Sequence, residues 1–135
     1  MLLDILIVDD NPEAAELLQE LLSMEGHAVR TAGNAADALV LARQKPAHIF
    51  LVDQNLPDMN GSELVPLLRA SVADHGAGPC FAIAITGMAW GSNASSSGVD
   101  AHMASFDFVL GKPLDFEAFD ALLAQCAAAL QSPSL

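Results

Sequence analysis

Positive charge is scarce in this chain. Its 135 residues include five lysines and arginines against 17 aspartates and glutamates, a formal net charge of −12. The bases are Arg30, Arg43, Lys45, Arg69 and Lys112. So acidic a surface repels polyphosphate and argues against direct nucleic-acid binding. Most of the excess acid serves solubility, and the remainder suits a basic partner or a divalent cation. Cysteine is scarce too. Cys80 and Cys126 have no CxxC spacing and no histidine at ligand spacing, and His27, His48, His75 and His102 are scattered. That pattern excludes a zinc site and gives none of the histidines a catalytic role. Long apolar runs are missing although 53% of the residues are hydrophobic. No run approaches the roughly 20 residues that span a bilayer. Met1-Leu2-Leu3-Asp4 lacks a basic flank, and Asp4, Asp9 and Asp10 interrupt any signal-peptide core. The expectation is a cytoplasmic protein without membrane association.

What is present is a set of short apolar runs, each leading into a chemically useful residue. Ile5-Leu6-Ile7-Val8 leads into Asp9 and Asp10, and Ile49-Phe50-Leu51-Val52 into Asp53. Phe81-Ala82-Ile83-Ala84-Ile85 leads into Thr86, and Phe108-Val109-Leu110-Gly111 into Lys112. Runs of this length separated by helical stretches read as parallel strands, and open parallel sheets carry their sites beyond the carboxyl ends of the strands. Three carboxylates, a hydroxyl and an ammonium are thereby expected at one edge.

The length suits a single domain, placed at residues 1–131 with a C-terminal tail at 132–135. Strand and helix alternate. Asn11-Pro12-Glu13 is a helix start, with leucines at 17, 18, 21 and 22 in helical spacing and Gly26 as its close. Ala28–Thr31 reads as a second strand, and Asn34 caps a second helix with Ala38, Leu39, Leu41 and Ala42 inward. Asn60-Gly61-Ser62-Glu63 opens a third, in which Pro66 is tolerated with some distortion of the first turns. A last helix runs from about Asp115 through Phe116, Phe119, Leu122, Leu123 and Leu130. Between Thr86 and Phe106 the periodicity fails. Only Val99–Ala104 offers a short helix there, and the segment is expected to be the least ordered part of the fold. Met88 and Trp90 within it are expected to pack back on the domain, the alternative being a partner-binding patch.

Adjacent Asp9 and Asp10 brought beside Asp53 repel one another unless a cation lies among them. Carboxylates in a partly hydrated site suit Mg2+. A carboxylate beside such a metal is also a competent nucleophile toward phosphorus, and Lys112 and Thr86 suit phosphoryl oxygens. Each residue alone has a bland explanation, since an aspartate at a strand end is commonly a cap or turn former. The order and topology of the set carry the specificity.

On those residues the chain resembles the receiver domain of two-component response regulators, over essentially its whole length. Ile7-Val8-Asp9-Asp10-Asn11 is similar to the family's acidic motif, and Asp53 to Gly61 to its phosphoacceptor loop. Thr86-Gly87 resembles the switch hydroxyl and the small residue after it, and Lys112-Pro113 the active-site lysine with its proline. The resemblance implies a flavodoxin-like, doubly wound α/β fold with a five-stranded parallel sheet of order 2-1-3-4-5. It implies Asp53 as acceptor of a phosphoryl group from a histidine kinase or histidine phosphotransfer protein. It further implies Mg2+ held by Asp9, Asp10, Asp53 and the backbone carbonyl of Asn55. Thr86, Gly87 and Lys112 would bind the phosphoryl group and switch, with a cis bond before Pro113.

Two departures stand out. Where the family carries a Tyr or Phe three residues before the lysine, this chain has Val109, and Phe108 is expected on the opposite side of its strand. The segment from Thr86 to Lys112 is also longer and richer in serine and glycine than the common pattern. The alternatives are a degenerate receiver that binds partners without phosphorylation and a phosphatase of the haloacid dehalogenase type. The second is disfavoured because Asn55 stands where those enzymes carry an acid. The chain is expected to be no enzyme beyond slow self-dephosphorylation. Without a base after Lys112, a charge-paired dimer at the last helix is not expected, and a weak homodimer through another surface stays open.

Overall fold

The computed structural model describes residues 3–54, 56–74, 76, 80–86, 106–111 and 116–131. In chain order these form β1 (Asp4–Val8), α1 (Pro12–Met24), β2 (Ala28–Ala32), α2 (Ala35–Gln44), β3 (Ile49–Asp53), α3 (Gly61–Asp74), β4 (Phe81–Thr86), β5 (Phe108–Gly111) and α4 (Phe116–Gln131). All strand pairs are parallel and the order is β2-β1-β3-β4-β5. This is the expected sheet.

Burial explains why the strands read as continuous apolar runs. Every residue of β1 and β3 is buried, as in parallel sheets covered on both faces. Alternation splits their side chains between two cores. Leu6, Val8, Phe50, Val52, Ala82 and Ala84 pack with α2 and α3 on one face. Ile5, Ile7, Ile49, Leu51, Ile83 and Ile85 pack with α1 and α4 on the other. Phe108 and Leu110 lean on that second core, whereas Val109 points away and is exposed. The opposite facing of Phe108 and Val109 agrees with strand alternation.

Local chemistry sets the helix ends. Asn11 takes the N–H groups of Glu13 and Ala14 on its side chain, with Pro12 at the first helical position. At the far end Gly26 adopts φ 97°, and the amides of Gly26 and His27 reach back to the carbonyls of Ser23 and Leu22. That is the Schellman closure, which favours glycine at this position. Leu17 and Leu67 share the helical spacing of their neighbours yet are about half exposed. The helix α3 continues through Pro66 to Asp74.

The edge at the amino ends of the strands is knitted by polar contacts. Leu3 donates its N–H to His27 Nδ1 and Asp4 donates its own to His48 Nδ1, both at 3.0 Å. His27 precedes β2 and His48 precedes β3, the two neighbours of β1. Each imidazole thus adds one rung to the ladder on its side of β1, and these histidines are structural acceptors. The buried Asp4 carboxylate pairs with Arg30 and Lys45, each at 3.0 Å. Arg30 also donates to the carbonyls of Leu41 and Lys45 at the end of α2.

Candidate functional site

The carboxyl edge of the sheet gathers the acids. The connection out of β1 turns toward β2 while the connection out of β3 turns toward β4, so the two diverge and leave a crevice between them. Asp9 and Asp10 follow β1 into that crevice and Asp53 ends β3 within it. Their carboxylate oxygens lie within 4.8 Å of one another, with Asp9 and Asp53 buried and Asp10 exposed. Asp9 is held in place from both sides. Its amide donates to the Ala32 carbonyl at 3.0 Å, and its carboxylate accepts the Asn11 N–H at 2.9 Å.

A carboxylate trio this close, two of it buried, fits a hard divalent cation by its donor chemistry. Only one ligand atom per residue is needed, which leaves coordination positions for water or substrate oxygens. A cleft of about 450 Å3 opens beside the trio, lined by Asp9, Asp10, Pro12, Ala15, Thr31 and Gly33 among others. It gives access to Asp9 and Asp10 from between α1 and the β2–α2 turn.

The loop leaving Asp53 is fastened to two helices. Gln54 donates its backbone N–H to Ile85 and accepts that of Gly61. Its side-chain oxygen accepts the Ser62 N–H at 2.9 Å, near the start of α3. Gly61 is required at the close of this loop, because a Cβ there would stand 2.6 Å from the Asp53 carbonyl oxygen and 3.0 Å from a Val52 methyl. Leu56 and Met59 pack on the α2–α3 core. Asp58 reaches to α2, accepting the N–H groups of Ala35 and Ala36 at 2.9 and 3.0 Å. These donors, led by Ala35, hold the Asp58 carboxyl below its ordinary value. In the sequence Asp58 is one letter of the loop motif, and no local pattern marks Gln54.

The sequence-expected residues therefore divide. Asp9, Asp10 and Asp53 come together as anticipated. Thr86 ends β4, and its backbone pairs with Gly111 of β5 one rung beyond the pairing of Asp53 with Ile85. Asn55, Gly87, Lys112 and Pro113 lie outside the described residues, as do the segment 87–105 with Met88 and Trp90 and the tail at 132–135. No described helix is long and apolar enough to cross a membrane.

Comparison with known proteins points the same way. A response regulator receiver protein of Anaeromyxobacter is 47% identical over 64 residues, covering 47% of this chain and 27% of that protein. The chain spans between 27% and 51% of the length of the first curated relatives it matches. A CheY-like receiver domain from Methylobacillus flagellatus superposes with a TM-score of 0.75 at 29% identity, over 93% of this chain and 99% of that one. The Thermotoga maritima response regulator TrrA, solved in complex with Mg2+ and BeF, does so with 0.74 at 25% identity, over 93% and 99%. The response regulator receiver domain family matches residues 5–124. With its sheet order and its acidic crevice, the chain belongs to the receiver domains of two-component response regulators.

Proposed function

We propose that this receiver accepts a phosphoryl group on Asp53 from a phosphohistidine, borne by a histidine kinase or a histidine phosphotransfer protein. The observation that carries this is the meeting of the Asp9, Asp10 and Asp53 carboxylates within 4.8 Å at the carboxyl edge of the sheet. A carboxylate oxygen of Asp53 attacks phosphorus, the P–O bond forms as the P–N bond breaks, and the donor imidazole leaves with the electron pair and takes up a proton.

Asp9, Asp10, Asp53 and the Asn55 backbone carbonyl are the groups that would hold Mg2+, in keeping with the complex named for the Thermotoga relative. Bound there, the metal offsets negative charge on the phosphoryl oxygens. Lys112 and Thr86 are assigned to the phosphoryl group by resemblance, Lys112 as a second cation and Thr86 as the hydroxyl whose movement alters the β4–β5 side. The domain acts on its own aspartate and is not a turnover enzyme, and its setting is a cytoplasmic phosphorelay.

The test is incubation with Mg2+ and acetyl phosphate, followed by intact mass measurement. Wild type gains one phosphoryl group and Asp53→Asn gains none. Equal modification of both proteins would exclude Asp53 as acceptor. No modification of either would leave a phosphorylation-independent interaction module as the reading.

A further inference from the structure

The first turn of α2 is capped by two residues that are far apart in sequence. Asn34 accepts the Asp37 N–H at 2.7 Å, the ordinary local N-cap bond. The two N–H groups before it, those of Ala35 and Ala36, instead reach Asp58, 23 and 22 residues away. Each takes its own oxygen of the one carboxylate. Ala35 itself is fully buried, so its amide has little access to water as a substitute acceptor. Asp58 is exposed and lies on the loop between Asp53 and Gly61.

The contact closes a circuit through the acidic crevice. The Asp9 amide donates to Ala32 at the end of β2. The chain runs from Ala32 through Gly33 and Asn34 to Ala35, whose amide binds Asp58. From Asp58 the loop leads back to Asp53, beside Asp9. The sheet already fixes the end of β1 against the end of β3, since Val8 pairs with Val52. What the sheet does not fix is the course of the chain after Gln54, whose N–H still bonds the Ile85 carbonyl of β4. On that stretch the Asp58 bonds act together with the Gln54 bonds to Gly61 and Ser62 and with the packing of Leu56 and Met59.

We propose that Asp58 is a positioning residue of the acceptor site, whose carboxylate ties the loop after Asp53 to the first turn of α2 and so holds that loop beside the acidic crevice. This rests on the reading of the crevice as a Mg2+ and phosphoryl site, and it adds the residue that keeps the loop ready for the metal. A helix cap with no further role would stabilise α2 and leave the loop's affinity for metal unchanged. A tether does both.

The experiment compares Asp58→Ala and Asp58→Asn with two controls. Asn34→Ala removes the local cap of the same helix without touching the loop. Asp37→Asn removes an equal charge from the same helical turn. Three quantities are read for each: Mg2+ affinity by calorimetry, the rate of modification by acetyl phosphate, and amide hydrogen exchange of residues 54–61. Asp58→Ala is expected to weaken Mg2+ binding roughly 10-fold, the low end for groups that orient metal ligands. It should also slow modification and speed exchange in the loop. Asp58→Asn, which keeps one acceptor oxygen for these amides, falls between Asp58→Ala and wild type and supplies the measurement should the alanine variant fail to fold. Both controls stay within about twofold of wild type in Mg2+ affinity, since the side-chain bonds of Asn34 and Asp37 run between these two residues and not to the loop.

Equal losses in Asp58→Ala and either control would overturn the proposal, as would unchanged loop exchange in both Asp58 variants. If wild type neither binds Mg2+ nor is modified, the functional reading fails. Loop exchange then still decides the tether, faster in Asp58→Ala than in Asn34→Ala if it exists and equal if it does not.

Discussion

Gly61 sits against the backbone of Asp53, so that a Cβ on Gly61 would stand 2.6 Å from the Asp53 carbonyl oxygen. No real Cβ tolerates that distance from backbone, and the obstacle cannot rotate away as a side-chain tip could. Gly61 is therefore needed for close approach: it lets the start of α3 come against the strand that carries the acceptor candidate. Its φ is not in the left-handed region, so conformational freedom is not the reason.

Gly61→Ala is expected to destabilise the fold by about 2–3 kcal/mol, in the range of other overpacking changes. It should also slow modification of Asp53 in the stable fraction. Gly33→Ala is the matched control, because a Cβ there meets nothing within 4 Å. Urea unfolding should place Gly33→Ala within about 0.5 kcal/mol of wild type. A neutral Gly61→Ala would contradict the close approach.

At the opposite edge, Arg30 makes three contacts at once: the Asp4 carboxylate and the carbonyls of Leu41 and Lys45. Arg30→Met keeps most of the stem and removes the charge. The buried Asp4 would keep Lys45 as a partner, which limits the loss to about 3 kcal/mol, the low end for breaking a buried pair. Modification of Asp53 in the folded protein should not change, since this network lies at the other end of the strands. A loss below about 0.5 kcal/mol in urea unfolding would show the pair to be energetically idle.

These two edges were unequally legible in the sequence. The strands and α1 were readable because their signals are local: apolar runs, Asn11-Pro12 at the start, Gly26 at the end. The acidic trio was readable because a parallel sheet gathers its strand ends, so Asp9, Asp10 and Asp53 needed only the topology. Asp58, Gln54, Asp4 and Arg30 were not readable, because their partners depend on how helices and loops settle on the sheet. His27 and His48 left a faint signal that went unused. Each immediately precedes a strand flanking β1, a position where an imidazole can extend the ladder. Leu17 and Leu18 carry the same helical signal, yet Leu18 is buried and Leu17 about half exposed. Helical spacing marks a face of the helix, and the width of the groove against the sheet decides which leucines enter it.

The cap on α2 carries a pH signature. The Ala35 amide, followed by that of Ala36, lowers the Asp58 pKa below its ordinary 3.8. A carboxylate with a depressed folded pKa contributes stability that is present above the unfolded value, 3.8, and is lost as the pH falls through the folded value. The stability difference between wild type and Asp58→Asn should therefore be constant from neutral pH down to about 4 and shrink below it. Thermal melts across that range measure it. A difference that widened on acidification would reverse the sign and rule out the charged cap.

The two thiols should separate by burial. Cys126 is fully buried in the α4 face of the core, and burial pushes its thiol up to about 11. At pH 7 only about one molecule in 10,000 then carries the reactive thiolate. Cys80 is half-buried, its thiol also raised by burial but drawn back by the Arg69 guanidinium. Ellman's reagent should therefore titrate Cys80 first in the native protein and reach Cys126 only as the core opens. Comparison with Cys80→Ser assigns the phases. The raised pKa of Cys126 also sets a sign at alkaline pH. Its contribution is intact below the unfolded value of 9.0 and falls away as the pH climbs toward 11, because the unfolded chain ionises first. Cys126→Ala leaves a small cavity but removes that slope. Its stability relative to wild type should therefore improve between pH 9 and 11, and a constant gap across that interval would show that the buried thiol does not govern the alkaline limb.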